Sequence, residues 1–189
     1  GAKEIAEGLK ENSSLEELYL SGNKIGDAGA KAIADALKVN ASLKSIDLLR
    51  NQIGDEGFEA IKIAFEGNEN LKSVCGIKED ETEKNLKNQS LKPVDGKLLA
   101  LDLKFNASLK SINLYDNRIG DEGADAIAKG IQENKNCVLE ELNLCCNAIK
   151  VEGAKSLAEM IKVNASLKKI DLQRNNIGDE GAMAIKQVF

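Results

Sequence analysis

Four cysteines, three Gly-Asp-Glu-Gly segments and two equivalently placed aspartates are the features of this chain whose types and spacing could carry chemistry. Cys145 and Cys146 are adjacent, which allows a vicinal or sensing thiol pair. The plainer reading of Cys75, Cys137, Cys145 and Cys146 is reduced thiols of a cytoplasmic protein, filling half-buried small apolar positions. There is no CxxC pair and no histidine anywhere, which removes imidazole acid–base chemistry and the usual zinc ligand sets. The segments at 54–57, 120–123 and 178–181 are acidic enough to suggest calcium. They lack the alternating oxygen ligands of a calcium loop, and their recurrence at each expected helix start makes helix capping the better account. Asp47 and Asp171 hold equivalent places four strand steps apart, about 19 Å at ~4.8 Å per step. A carboxylate acid–base pair flanks one bond at under about 10 Å. No phosphate-cradling Gly-Lys loop is present. The sequence therefore predicts no catalytic residue, no metal and no cofactor.

What positions these residues is a repeat. Residues 15–42, 43–70 and 139–166 are near-copies of one 28-residue unit, 109–138 is a slightly longer copy, and 1–14 and 167–189 match parts of it. Self-similarity at such a period marks one supersecondary unit stacked on copies of itself, so 1–189 is expected to be a single repeat domain. Within a unit, Leu18-Tyr19-Leu20 alternates with period two, the mark of a short half-buried strand. Asn23, Asn51, Gln89, Asn117, Asn147 and Asn175 recur at one place, where a stacked ladder of side-chain amides would bond turn backbone. Asp27, Asp55, Asp121 and Asp179 recur where a helix N-cap acceptor belongs. Ile33 and Leu37, or Ile61 and Phe65, sit four apart as the inward stripe of a helix.

Strand, turn, helix and return loop follow in order, so successive strands must run parallel. Strands lie about 4.8 Å apart and helices need roughly 8–10 Å. Curvature relieves the mismatch. The sequence predicts an α/β solenoid, a horseshoe arc with parallel strands on its concave face and helices on its convex face. The first residues, GAKEIAEGLKENSS, match 29–42. The chain is thus expected to begin inside one helix and to end inside another at Phe189, as a piece of a longer protein. Uncapped ends of that kind favour end-to-end self-association.

The pattern LxxLxLxxNxIGDxGAxAIAxAL, as it stands at 15–37, resembles the leucine-rich repeat of the ribonuclease-inhibitor type, a class also found in NOD-like receptors and Ran GTPase-activating proteins. The resemblance covers nearly the whole chain. It implies a curved protein-binding surface, with a GTPase-activating regulator or a structural or sensor segment of a receptor as the alternatives.

Residues 71–108 break the pattern, being ten residues longer than the standard unit. LKSVCGI at 71–77 reads as the ladder strand, with 78–90 bulging out as a tolerated insertion or a partner-contacting loop and 82–86 as an extra short strand. Pro93 marks the helix restart. Outward strand positions and the rim after them vary from unit to unit while the frame stays fixed. They supply the expected partner-binding set: Tyr19, Asp47, Leu49, Arg50, Asn113, Tyr115, Asp116, Asn143, Cys145, Asp171, Gln173 and Arg174. Tyr, Arg and an exposed Leu are types that anchor protein interfaces. The net charge of -5 disfavours nucleic acid and anionic membrane as partners. The expected partner is therefore a protein.

Overall fold

The computed structural model describes residues 1–188; Phe189, the expected chain end inside a helix, lies outside them. The described chain divides into two compact units, Gly1–Lys78 and Glu79–Phe189. The first carries α1 (Ala2–Glu11), β1 (Glu17–Tyr19), α2 (Asp27–Leu37), β2 (Ser45–Asp47) and α3 (Asp55–Gly67). The second carries β3 (Glu83–Asn85), α4 (Pro93–Phe105), β4 (Ser111–Asn113), α5 (Gly120–Glu133), β5 (Glu141–Asn143), α6 (Val151–Val163), β6 (Lys169–Asp171) and α7 (Gly178–Lys186).

Every strand pair is parallel and in register with the repeat: Glu17 pairs Ser45 across β1 and β2, and Ser111, Glu141 and Lys169 align across β4, β5 and β6. The alternation read in the sequence puts the middle residue of β2, β4 and β5 into the core, while Leu18, Lys84 and Ile170 at the same place in β1, β3 and β6 are half-buried. Ile46 and Leu48 are fully buried, as are Ile112 with Leu114 and Leu142 with Leu144 to within 1%. The helix stripe meets them from the other side through Ile33, Leu37, Ile61, Ile127 and Leu157, all at 0% exposure. Within each unit, strands form one layer and helices the other, as the α/β repeat pattern requires.

The irregular repeat resolves differently from its sequence expectation. Both of its strand-like segments pair. Ser73 and Cys75 bridge to Ser45 and Asp47 and end the first ladder. Residues 83–85 form β3, the first strand of the second ladder, paired with β4. The segment at 82–86 is therefore a ladder strand and not an accessory within a bulge. The reason lies in the hydrogen bonds around Cys75. Leu48 N–H donates to the carbonyl of Val74 and Gly76 N–H to that of Ile46, which makes the contact of Asp47 with Cys75 an isolated antiparallel bridge, so the parallel ladder stops there. The sequence treated 1–189 as one stack. The two compact units divide the sequence at residue 78, within this repeat.

The amide ladder forms with added reach. Asn51 Nδ2 donates to the carbonyls of Leu48 in its own repeat and Leu20 in the preceding one, each at 3.0 Å, and its Oδ1 accepts from Ile25 N–H at 3.2 Å. Asn117, Asn147 and Asn175 each reach one repeat back to Leu86, Leu114 and Leu144. Gln89 joins only through its backbone N–H, bonded to Asn117 Oδ1 at 3.0 Å. Its side chain is one methylene longer than the asparagine the position otherwise holds.

The aspartates depart from expectation in an informative way. Asp27 does not cap its own helix: the N-cap of α2 is Gly26. Its Oδ1 accepts instead from Gly54 N–H and Gly57 N–H, both at 2.8 Å, at the start of the next helix. Asp121 does the same for Lys150 and Gly153 at 2.6 and 3.0 Å. The chemistry is that of an N-cap, supplied from the neighbouring repeat. A second amide series went unread in the sequence. Asn40 Nδ2 donates back to the carbonyls of Leu9 and Asn12, and Asn68 and Asn134 act alike.

Close helix approach yields a stability prediction. A Cβ on Gly130 would stand 2.5 Å from the Ala100 carbonyl oxygen, whereas one on Gly8 meets nothing within 4 Å. Gly130→Ala should therefore cost about 1–3 kcal/mol by forcing α4 and α5 apart. Gly8→Ala should stabilise by about 0.5–1 kcal/mol through helix propensity. Urea denaturation of the two variants checks both signs.

Candidate functional site

The site must be built on the outward rows of the strands, because the inward rows are core. In the second unit these rows are Ser111, Glu141 and Lys169, then Asn113, Asn143 and Asp171. Together they line a surface depression of ≈ 240 Å³. Lys169 Nζ lies 3.5 Å from Glu141 Oε2, so charges of both signs stand side by side in it. Both side chains are more than half exposed, and such a pair contributes under about 1 kcal/mol to stability.

The lower row has a structural duty as well. Asn113, Asn143 and Asp171 accept the backbone N–H of Tyr115, Cys145 and Gln173 at 3.0, 3.0 and 2.9 Å. In the first unit Asp47 accepts from Leu49 at 3.0 Å. These are Asx turns. They end each strand and fold the chain back at the third residue after the Asx side chain, which takes positive φ: Arg50 (60°), Asp116 (53°), Cys146 (58°) and Arg174 (52°), with Asn88 (57°) in the same place after Asn85. Gly22 holds the same place with φ 73°. A left-handed non-glycine residue costs roughly 1–2 kcal/mol, so the rim carries a modest strain in five of these repeats.

Of the expected partner-binding residues, Tyr19, Arg50, Asp116, Gln173 and Arg174 are exposed, and Asp47, Asn113, Tyr115, Asn143 and Asp171 are half-buried. Leu49 and Cys145 are corrections. Leu49 is 1% exposed and Cys145 6%, so neither offers an exposed anchor. The Asx turn presses this position back towards the ladder, and burying a leucine side chain is worth about 1.5–3 kcal/mol. Tyr115, at the same position, is half-buried.

In the second unit the structure gathers Asn113, Asn143 and Asp171 into the depression and adds Ser111, Glu141 and Lys169. Those three lie outside the partner-binding set expected from the sequence, on the outward strand row beside it. Tyr19, Asp47, Leu49 and Arg50 belong to the first unit. There the chain beyond Cys75 brings Lys78 Nζ to within 3.7 Å of Glu17 Oε2, two rungs back across the strand face. Glu17 also accepts the Tyr19 hydroxyl at 2.5 Å. That hydroxyl first, and Lys78 second, hold the Glu17 carboxyl below the usual range. Burial, followed by the neighbouring Cys146 thiol, pushes Cys145 up to about 11. No group of three or more His, Cys, Asp or Glu side chains is arranged to hold a metal ion among the described residues. No described helix is long and apolar enough to cross a membrane.

Comparison with known proteins adds the following. No curated protein matches the chain. Among solved structures, the tropomodulin C-terminal domain of Caenorhabditis elegans covers 99% of this chain and 90% of its own, at 11% identity and a TM-score of 0.45. Leiomodin-1 actin-binding site 2 covers 98% and 85%, at 16% identity and a TM-score of 0.42. Similarity this distant carries no argument about function. The leucine-rich repeat family matches residues 11–34, 39–62, 105–128, 135–158 and 163–186. The longest unmatched interior stretch, 63–104, takes in most of the irregular repeat, and the matched stretches make up more than half of the sequence. The chain belongs to the leucine-rich repeat family.

Proposed function

We propose that the chain is a non-catalytic protein-interaction module that takes a protein partner on its strand face and the rim beside it. The observation that carries this reading is the depression on β4, β5 and β6, where Ser111, Glu141, Lys169, Asn113, Asn143 and Asp171 form a mixed-charge floor on rigid strands. Side chains fixed on a sheet lose little further freedom when a partner docks. Tyr115 stands beside them on the rim, half-exposed, with area left to bury. The helix face suits solvent better. Its exposed pairs, such as Lys31–Glu56 and Lys155–Glu180, are of the charged types depleted from interface cores.

The helix in every repeat and the 28-residue period support the ribonuclease-inhibitor type. The net charge of -5 favours a protein over nucleic acid or anionic membrane, and the free cysteines fit a cytoplasmic setting. Of the residues at 78–90, Lys78 contacts Glu17 in the first unit. It is a second contact point for the partner.

Photo-crosslinking tests the surface. A photoreactive residue replaces Tyr115 or Lys169 in turn, with Lys31 and Lys155 as helix-face controls, and the chain is exposed to extract of its source cells. Strand-face probes should yield a common crosslinked protein that the controls do not. A partner captured equally well from the helix face would overturn the proposal.

A further inference from the structure

We propose that Cys145 and Cys146 form a two-thiol site that captures a trivalent arsenical bearing one carbon substituent. All four thiols are free, and this pair alone is adjacent, with Sγ atoms 3.4 Å apart. The backbone between them is held on both sides. Cys145 N–H donates to Asn143 Oδ1 at 3.0 Å, and its carbonyl accepts from Asp116 N–H at 3.0 Å. Cys146 N–H donates to Gln173 at 3.0 Å, and its carbonyl accepts from Asn117 N–H at 3.2 Å. The sulfurs are thus set side by side before anything binds, and such preorganisation removes much of the cost of chelation.

The same geometry argues against a disulfide. Adjacent Cα atoms across a trans peptide lie about 3.8 Å apart, below the roughly 4.4–6.8 Å that an unstrained disulfide spans. Closing the sulfurs to about 2.05 Å would distort a turn pinned by four hydrogen bonds. An inserted atom that bonds both sulfurs enlarges the ring and leaves the turn in place. Zinc is a poor candidate, because a structural site needs four ligands and no third acidic, thiol or imidazole ligand is arranged there among the described residues. A trivalent arsenical with one carbon substituent needs two thiols and nothing more.

The reaction balances without an oxidant. The arsenic, as its dihydroxy form, exchanges two As–O bonds for two As–S bonds. Each thiol proton leaves with a hydroxyl as water, and arsenic stays trivalent. Cys146, half-exposed at the turn, reacts first. The bound arsenic then faces the buried Cys145 sulfur, whose attack is intramolecular and correspondingly favoured.

The test titrates the chain with phenylarsine oxide and counts free thiols and adduct mass. One arsenical per chain should remove two of the four thiols, and a dithiol should release it where a monothiol at equal concentration does not. Cys145→Ser, Cys145→Ala and Cys146→Ser should each weaken retention about tenfold or more, roughly 1.4 kcal/mol. The Cys75→Ser/Cys137→Ser double variant should bind as the parent does. Circular dichroism on every variant separates lost binding from lost folding, and Cys146→Ser, at the half-exposed position, keeps the test decisive if the Cys145 variants unfold. With oxidised glutathione, Cys146 should become a mixed disulfide. Undiminished retention in folded Cys146→Ser, ready release by a monothiol, or formation of an internal Cys145–Cys146 disulfide would each overturn the proposal.

Discussion

Leu48→Ala should lower the unfolding free energy by about 2–5 kcal/mol, while Leu172→Ala, its counterpart in the last repeat, should cost well under half as much. The two are equivalent in the sequence, each the second inward leucine of its strand. Their surroundings differ. Leu48 is completely buried between neighbouring rungs, so truncation removes transfer energy and leaves a cavity that packed neighbours cannot fill. Leu172 follows the outermost strand of the second ladder, β6, which pairs on one side only, and is half-buried. Its side chain has less burial to lose and a rim that can relax. Denaturant titration followed by circular dichroism gives both values. Equal losses would mean that the last rung is covered in solution by something else, a second copy of the chain included.

Asn117→Ala should cost about 3–5 kcal/mol, the loss expected when two or more buried backbone groups are each left unpaired at about 1–3 kcal/mol apiece. Asn117 is 6% exposed. Its Nδ2 serves the carbonyls of Leu86, Leu114 and Tyr115 at 2.9, 2.8 and 3.4 Å. Its Oδ1 takes the N–H groups of Gln89 and Leu91, both at 3.0 Å. Asn117→Asp keeps the acceptor but loses the donors and buries a charge, so it should be no better than alanine near neutral pH. Hydrogen exchange provides the second readout. The amides of Gln89 and Leu91 should lose protection in Asn117→Ala, while those of α6 change little, since energy in a repeat stack is shared chiefly between neighbours. A loss under about 1 kcal/mol would show that water replaces the amide without penalty.

Much of this was legible in the sequence because period is a strong signal. The alternation at Leu18-Tyr19-Leu20 and the four-residue spacing of Ile33 and Leu37 placed strand and helix, and the register of the pairs between regular repeats followed. The recurring asparagine announced its ladder. What periodicity cannot show is which of two neighbouring repeats a side chain serves. Asp27 was read as a cap for its own helix because sequence adjacency is the only distance a sequence displays; the folded chain brings Gly54 and Gly57 nearer. The asparagines of the VNAS-type segments recur just as visibly as those of the ladder, yet a polar residue after a helix reads as ordinary loop. The face of Leu49 was misjudged for another reason. Its exposure depends on a backbone turn set by Asp47 two residues earlier, and strand alternation says nothing beyond the strand's end. The irregular repeat exposed the same limit: Leu71–Ile77 and Glu83–Asn85 both look like strands, and a single sequence cannot tell which ladder each will join.

The borrowed helix cap has an implication for how such a chain can change length. Asp27 and Asp121 each reach forward to accept a backbone N–H at the start of the next helix, while Asn51 and Asn147 reach backward across the same joints to a carbonyl. The joints between α2 and α3 and between α5 and α6 are thus polar and two-directional, and either half is orphaned if its counterpart is displaced by a fraction of a period. Gain or loss of a whole repeat returns each carboxylate and amide to an equivalent mate, so growth by tandem duplication preserves all joints but the new terminal one. A shift of a few residues does not. Length in this architecture is therefore effectively counted in whole repeats, and an insertion of ten residues is tolerated where it falls because one ladder has already ended there, at the antiparallel bridge of Asp47 with Cys75.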